Sequence, residues 1–281
     1  MHELEPTPGK LEQLAPGVHR LLAPNPGMMT GPGTNTYLLG ENEIAVLDPG
    51  PAIPSHIDAI QALAPAPVRW ILVTHTHPDH SPAARPLAAA TGAELLGRHP
   101  PAGKQQDQTF APDRALDDGE RLESEEFSVR AIYTPGHASN HLCYLHEQLR
   151  WVFTGDHVMN GSTVVINPPD GHMGDYLESL NRVKALASSK LAPGHGALLQ
   201  DPSATLDWII AHRLEREAKV VAVLTSSDGR PLSELVKKVY DDVDAHLHGL
   251  AERSLLAHLI KLREDSRARE EDRAWHLITE P

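Results

Sequence analysis

Residues 75–80 (HTHPDH) place four potential metal ligands directly after an apolar run, residues 70–73, that predicts a buried strand. Side chains two apart in an extended segment point to the same side, so His75 and His77 can converge on one ion. Asp79 and His80 are adjacent and point differently, which suits a second ion. A solvated turn is disfavoured, because unpaired His and Asp at a strand end serve no packing purpose. The segment therefore predicts two metals, roughly 3.5–4 Å apart and bridged by one hydroxide.

Three downstream turns offer the further ligands that two metal sites need. In each, an apolar run ends in a tight turn, and glycine allows the backbone to bend sharply beside a potential ligand. The ligands are His137 in residues 134–137 (TPGH), Asp156 with His157 in residues 154–157 (TGDH), and His195 in residues 192–196 (APGHG). One Gly-His pair arises by chance, but three such turns in order behind HTHPDH are a strong signal.

This order of motifs resembles the metallo-β-lactamase superfamily from about residue 15 to 200. The resemblance implies a four-layer αββα sandwich with metals at one edge, and all of the family's ligand positions are filled: His75, His77, Asp79, His80, His137, Asp156 and His195. It further implies that one ion lies on His75, His77 and His137, the other on Asp79, His80 and His195, with Asp156 as the bridge. The implied metals are two Zn²⁺, with other divalent metals as alternatives.

Asp48 has a different part in the same resemblance. It follows the apolar run 44–47 and is not a ligand in the family's pattern. We expect it to hold a ligand in place through a hydrogen bond, because the groups behind a metal's ligands orient them.

Shorter segments are similar to the lactamase-β-like protein 2 group within that superfamily. They are residues 25–30 (NPGMMT), 33–37 (GTNTY), 134–140, 155–163 and 212–217 (HRLERE). Members of the group carry a C-terminal winged-helix-like domain. The animal member is an endoribonuclease on single-stranded RNA, whereas fungal relatives are thioesterases acting on polyketide carrier proteins.

Hydrophobic periodicity predicts the elements that carry these motifs. Strands are expected at residues 18–22, 36–39, 44–47, 70–73, 127–133, 142–145, 151–154 and 191–192. Helices are expected at residues 82–90, closed by Gly92, and at residues 175–189. Cys143, the single cysteine, is expected to be a buried strand residue, because a free cysteine usually behaves as a small hydrophobe.

The chain beyond about residue 202 predicts a separate unit. Helices at residues 206–224, 232–240 and 253–263 and a terminal hairpin suggest a winged-helix-like domain, which divides the chain into a catalytic domain, 1–201, and a C-terminal domain, 202–281. Residues 205–281 hold 12 Lys and Arg against 15 Asp and Glu. A DNA-binding domain normally has a basic face. Packing or homodimerisation is therefore favoured over DNA binding for this tail.

Charge and composition indicate which cellular compartment and which classes of binding partner to expect. The net charge of −13 disfavours a broad nucleic-acid surface, although it leaves room for one phosphodiester docking at the metals. No run approaches the roughly 20 apolar residues that span a bilayer, and the first residues lack a secretory signal. A single cysteine fits a reducing compartment. We therefore expect a cytoplasmic protein with no membrane partner.

These observations favour a hydrolase. A metal-bound water has its pKa lowered to roughly 7, and Asp79 beside it can orient the hydroxide and pass a proton to the leaving group. The favoured substrate is an ester or thioester, either a small molecule or a carrier-bound acyl group. A single-strand endoribonuclease and an iron-dependent sulfur dioxygenase remain alternatives, while a β-lactamase and a DNA-binding module with an inert sandwich are disfavoured.

Five polar side chains are expected to line the mouth of the site, with turn or capping roles as the alternative for each. They are Asn35, Asn140, His157, Asn167 and His172.

Overall fold

The computed structural model describes residues 6–226 and 228–278, and two of its sheets face each other. The first has seven strands: β1 (Leu11–Ala15), β2 (Val18–Leu22), β3 (Asn35–Leu39), β4 (Ile44–Leu47), β5 (Val68–Leu72), β6 (Glu94–Gly97) and β7 (Arg114–Ala115). The second has five, in the spatial order β12-β11-β10-β9-β8: β8 (Arg121–Glu123), β9 (Ser128–Tyr133), β10 (Leu142–His146), β11 (Trp151–Gly155) and β12 (Lys190–Pro193).

Helices cover the outer faces of both sheets. They are α1 (Pro54–Leu63), α2 (Ala84–Thr91), α3 (Met173–Ala185) and α4 (Pro202–Thr225). Ile60 of α1 and Leu87 of α2 share a core with the first sheet. Tyr176 of α3 and Leu206 of α4 share one with the second sheet. A third core lies between the sheets, so the predicted four-layer αββα sandwich is confirmed.

The central strands are buried along their whole length because each is covered on both faces. Strands β2, β3, β10 and β11 have no exposed residue, which fits the lack of a strict apolar–polar alternation in their sequences. Cys143 lies in β10 and is buried and unpaired, as predicted. Helix α2 ends at Gly92, whose left-handed φ of 75° closes the helix as predicted.

Some elements differ from the sequence prediction. Helix α3 begins at Met173 and ends at Ala185 instead of spanning 175–189, and Ala187 takes a positive φ of 48° that a helix cannot continue through. Sequence patterns also missed β1, α1 and the short strands β6 to β8. Helix α1 has weakly patterned apolar residues, and only His56 and Ile60 are buried.

The topology brings five strand ends to one edge of the sandwich. Strands β4 and β5 are parallel, as are β11 and β12. Strand β9 runs antiparallel to β10, which is antiparallel to β11, so β9 and β11 also share a direction. The segments that follow β4, β5, β9, β11 and β12 are those that carry the predicted ligands and Asp48. Their side chains are therefore delivered to one place from both sheets.

A C-terminal unit follows on α4. It contains α5 (Leu232–Val239), a 3-10 turn (Ala245–Leu247), α6 (His248–Glu264) and the hairpin of β13 (Ala268–Glu271) and β14 (Ala274–Leu277). Its own core includes Val220, Leu235, Leu255 and Trp275. The helices and hairpin of the predicted winged-helix-like unit are therefore present, while the boundary at residue 202 stays a prediction. Among the described residues, no helix combines the length and apolar character needed to cross a membrane.

Candidate metal centre

Three imidazoles form the first group of ligand atoms. His75 Nε2 lies 3.0 Å from His77 Nδ1, and His137 Nε2 lies 3.0 Å from the same atom. His75 and His77 come from the segment after β5, and His137 comes from the turn after β9. Since three nitrogen atoms that meet at this spacing can face a single ion, the group can hold one metal.

The second group has two imidazoles and two carboxylates: Asp79, His80, Asp156 and His195. Asp156 Oδ1 lies 3.3 Å from His80 Nε2 and 3.3 Å from His195 Nε2. The other oxygen, Asp156 Oδ2, lies 3.7 Å from His137 Nε2 in the first group. One carboxylate thus turns one oxygen towards each group, which is the position of a bridge.

Three of these atoms are buried without a hydrogen-bond partner among the described residues. They are His80 Nε2, Asp156 Oδ1 and His195 Nε2. Buried polar atoms in folded proteins are almost always satisfied. Three orphan ligand atoms that converge within one group fit a cation, because a cation would satisfy all of them at once. This set of imidazole and carboxylate donors is therefore suited to bind metal ions.

The outward-facing nitrogen of each of four ligand histidines is held by the protein. His137 Nδ1 donates to the Val165 carbonyl at 2.9 Å, and His195 Nδ1 donates to the Gly33 carbonyl at 3.0 Å. His75 and His80 use Thr74 and Asp48 in the same way. Fixing one ring nitrogen as a donor leaves the other with its lone pair facing the site, which is the usual arrangement of metal-binding histidines.

Asp48 connects two of these rings. Its Oδ2 accepts from His80 Nδ1 at 2.9 Å and from Thr74 Oγ1 at 2.7 Å, and Thr74 Oγ1 in turn lies 3.0 Å from His75 Nδ1. The Thr74 backbone N–H donates to Asp48 Oδ1 at 2.7 Å. Asp48 has a positive φ of 49°, and its side chain is fully buried. One carboxylate therefore orients a ligand in each group, one directly and one through Thr74.

The pKa values of the ligand histidines differ between the first and the second ligand group. Burial lowers the pKa of His77 to about 3, and burial with neighbouring imidazoles lowers the pKa of His75 well below its usual value. Both rings are neutral, so their nitrogens can bind a metal. Burial opposes protonation of His195 too, but the carboxylates of Asp156 and Asp79 outweigh it and raise its pKa to about 10. The carboxylates of the second group therefore favour a positive charge beside them, which a bound cation can supply in place of the ring proton.

Replacing Asp48 by asparagine is expected to weaken metal binding by roughly 10- to 100-fold, because the groups behind the ligands fix their orientation. The amide keeps the size of the side chain but cannot accept from His80 and Thr74 with full charge. Competition with a chromophoric zinc chelator measures the affinity. Asp58→Asn, at an exposed position on α1, is the control. Equal affinities in the two variants would show that Asp48 only maintains the fold.

A cavity of about 290 Å³ opens onto both ligand groups. His77 and Asp79 line one side of it. Met29, Val165 and Asn167 also line it, from loops, and Arg253 comes from α6 of the C-terminal unit. The cavity therefore combines a ligand-lined floor, an apolar wall and a cationic rim.

The five residues predicted at the mouth of the site lie in different environments in the structure. Only Asn167 lines this cavity. Asn140 lines a neighbouring cavity and donates to Thr76 Oγ1 at 2.8 Å. Asn35 and His157 are fully buried, and Asn35 donates to the carbonyls of Pro193 and Gly196.

His172 has a capping and pairing position instead. Its ring accepts from the Asp175 backbone N–H at the start of α3, and its Nε2 lies 2.7 Å from Glu264 Oε2 of α6. Of the cavity's other residues, the sequence patterns gave no signal for Lys104, Gln106, Asp170 or Arg253, because none belongs to a ligand motif.

The fold and the two ligand groups define a class: a four-layer αββα sandwich that carries a candidate two-metal site at one edge. Residues 29–195 match the family model described as the metallo-beta-lactamase superfamily, and residues 232–275 match the beta-lactamase associated winged helix domain. The chain belongs to the metallo-beta-lactamase superfamily, a fold family of metal-dependent hydrolases.

Curated relatives match most of the chain. Lactamase-like protein vrtG of Penicillium aethiopicum is 31% identical over 268 residues, covering 90% of this chain and 83% of the relative. The beta-lactamase-like protein 2 homolog of Caenorhabditis elegans is 30% identical, covering 83% of this chain and 79% of the relative. An atrochrysone carboxyl ACP thioesterase, dmxR1 of Cryptosporiopsis, is 30% identical, covering 76% of this chain and 65% of the relative. The resemblance to the lactamase-β-like group is thereby confirmed.

Solved structures share the complete architecture. A beta-lactamase domain protein from Burkholderia ambifaria has a TM-score of 0.84 at 21% identity, covering 99% of this chain and 96% of its own. A metallo-beta-lactamase family protein from Thermus thermophilus has a TM-score of 0.79 at 22% identity, covering 95% of this chain and 100% of its own. At these identities the likeness shows the fold alone.

Proposed function

We propose that this chain is a two-zinc hydrolase that cleaves an ester or thioester acyl substrate. The observation that carries the proposal is the division of the Asp156 carboxylate, whose oxygens lie 3.3 Å from His80 Nε2 and 3.7 Å from His137 Nε2 in separate ligand groups. One bridging carboxylate between two donor sets suits two cations. Tetrahedral zinc with bonds of about 2.0–2.1 Å places its ligand atoms roughly 3.4 Å apart, close to the spacings observed here.

The choice of an acyl substrate is supported by one relative and by charge. The relative from Cryptosporiopsis is named as a thioesterase acting on an acyl carrier protein. The net charge of −13 is unfavourable for holding a long polyphosphate chain. The cavity beside the ligands also has an apolar wall at Met29 and Val165, which suits a hydrocarbon acyl group.

Bound zinc would lower the pKa of a coordinated water to about 7 and polarise the substrate's carbonyl oxygen. Asp79 lines the cavity at the ligands, and its Oδ2 lies 3.3 Å from His195 Nε2. Burial alone would raise the pKa of Asp79, but the nearby imidazoles of His80 and His195 outweigh it and lower the pKa. Asp79 is therefore an ionised carboxylate at neutral pH. In this position it can accept the proton of the attacking water and deliver it to the leaving group.

The test is a metal analysis of the purified protein together with turnover of an acyl thioester, a lactam, bis-p-nitrophenyl phosphate and single-stranded RNA. We expect about two zinc per chain, thioester cleavage as the main activity, and loss of that activity in Asp79→Asn. Asp58→Asn should keep it. One iron per chain would favour the sulfur dioxygenase alternative, while RNA cleavage without thioester cleavage would favour the endoribonuclease.

A further inference from the structure

The cavity at the metal centre has two cationic side chains at its rim, Lys104 and Arg253. Both are exposed, and neither forms an ion pair or a hydrogen bond with any residue in the ranges 6–226 and 228–278. Many cations of this acidic chain have carboxylate partners, for example Arg216 with Asp242 at 2.7 Å, whereas some exposed ones such as Lys10 and Arg85 have none among the described residues. What distinguishes Lys104 and Arg253 is that both line the cavity onto which the two ligand groups open.

The carboxylates that line the same cavity do not serve as partners for these two cations. Asp79 and Asp156 belong to the second ligand group. Asp170 is held by neutral donors, because its Oδ2 accepts from Gln106 Nε2 at 2.9 Å and its Oδ1 accepts from the Ser139 hydroxyl. The positive charge of Lys104 and Arg253 is thus left for a group that enters the cavity.

Arg253 is held in place by the docking of α6. Ala257, one turn further along the helix, is buried in the core that covers the second sheet. Near the end of the helix Glu264 pairs with His172 at 2.7 Å, at the start of α3. Residues 253, 257 and 264 recur at helical spacing, so they lie on one face of α6. The face that docks on the catalytic domain therefore also presents Arg253 to the cavity.

We propose that Arg253 and Lys104 form an anion-binding subsite, and that the substrate is an acyl ester or thioester carrying a phosphate or carboxylate group away from the scissile bond. The guanidinium fork of an arginine binds either oxyanion in a bidentate manner, and a lysine adds a point charge. The subsite deepens the proposed function, on which it rests, by naming the charge of the substrate. It also makes the C-terminal unit a wall of the active site.

The test compares matched substrates in the zinc-loaded protein. Acetyl pantetheine and acetyl 4′-phosphopantetheine differ only in the phosphate, and pentanoyl and glutaryl thioesters of N-acetylcysteamine differ only in the acyl carboxylate. We expect Arg253→Gln to lower kcat/KM about tenfold or more for one anionic member, since the charge-assisted hydrogen bonds to its oxyanion are lost. The matching neutral substrate should change less than about twofold. The affected pair identifies whether the anion is the phosphate or the carboxylate.

Lys104→Gln should act in the same direction with a smaller effect, because a lysine makes no bidentate contact. Arg263→Gln is the control, since Arg263 lies on the same helix but faces Trp275 of the C-terminal core. An equal loss for charged and neutral substrates in Arg253→Gln, or no loss for either, would overturn the subsite. Weakened binding of an RNA oligonucleotide, with all four thioesters unaffected, would overturn it too.

A binding measurement separates this inference from the proposed function. Amide analogues of the same four compounds cannot be cleaved as thioesters, so calorimetric titration reports their affinity without turnover. If the wild type cleaves no thioester but binds one anionic amide at least about tenfold more tightly than its neutral partner, and Arg253→Gln removes the difference, the subsite stands while the proposed reaction fails. Without that difference in the wild type, the subsite itself is wrong.

Discussion

Replacing Asp156 by asparagine is expected to reduce hydrolysis by about 10³-fold or more and to lower the metal content below two per chain. The amide has one neutral oxygen where the carboxylate now offers one charged oxygen to each ligand group. Neutralising the bridge leaves both cations with less compensating charge. Loss of several kcal/mol at a two-metal centre corresponds to an effect of this size, at about 1.36 kcal/mol per tenfold. The measurements are metal analysis and kcat/KM for the best substrate.

The same variant carries its own control for folding. Asp156 is buried with His80 and His195 against it, so a misfolded protein would also lose metal. Thermal unfolding after chelation should therefore be compared for Asp156→Asn, Asp58→Asn and the wild type. Similar midpoints without metal, together with different metal contents, would assign the loss to the bridge. A variant that retains two metals and full activity would rule out bridging by Asp156.

Replacing Gly194 by alanine is expected to disable the site without touching a ligand. A Cβ at this position would lie 2.7 Å from His80 Cε1 and 2.8 Å from Asp156 Oδ1. Contacts below 3.0 Å essentially never occur for real Cβ atoms, so either both ligands or the strand end that carries Gly194 must move. Displacements of about 1 Å can cost on the order of 10²-fold in rate. We expect weaker metal binding by chelator competition and at least that loss of kcat/KM.

Gly249→Ala is the matched control, because no heavy atom lies within 4 Å of its added Cβ and the residue is in α6. Alanine there should be neutral or stabilise by up to about 1 kcal/mol, since glycine is a poor helix former. Gly194→Ala should lose metal affinity while Gly249→Ala does not. Unchanged affinity in Gly194→Ala would mean that the strand end can shift to make room for the methyl group.

The ligand positions were accessible from the sequence because each follows an apolar run that ends in a distinctive turn. Strands of uniform direction deliver such turns to one edge of a sandwich, so local pattern and fold point to the same place. Asp48 was accessible for the same reason, at the end of β4. Its connection to His75 through Thr74 was not, because nothing in the sequence marks a threonine as a relay between two side chains.

The rim of the cavity could not be predicted. Arg253 lies on a helix of the C-terminal unit, and only the docking of α6 brings it to the cavity, whose other lining residues all lie far earlier in the chain. The position of His172 also depends on the docking of α6. The sequence left it a place at the mouth or a turn or capping role, and the structure shows the capping role, with Nδ1 at the start of α3 and Nε2 beside Glu264 of the docked helix. Contacts between distant segments depend on packing that no local pattern contains.

Helix α4 belongs to two cores at once. Leu206 and Ile209 near its beginning pack beneath the second sheet, while Val220 and Leu224 near its end pack in the C-terminal core. This helix of 24 residues therefore connects the two cores directly. If either core unfolded, one half of α4 would lose its packing. The sandwich and the C-terminal unit are therefore expected to unfold in a single cooperative transition. The C-terminal unit and the sandwich are then expected to depend on each other for their stability, because each holds one half of the same helix.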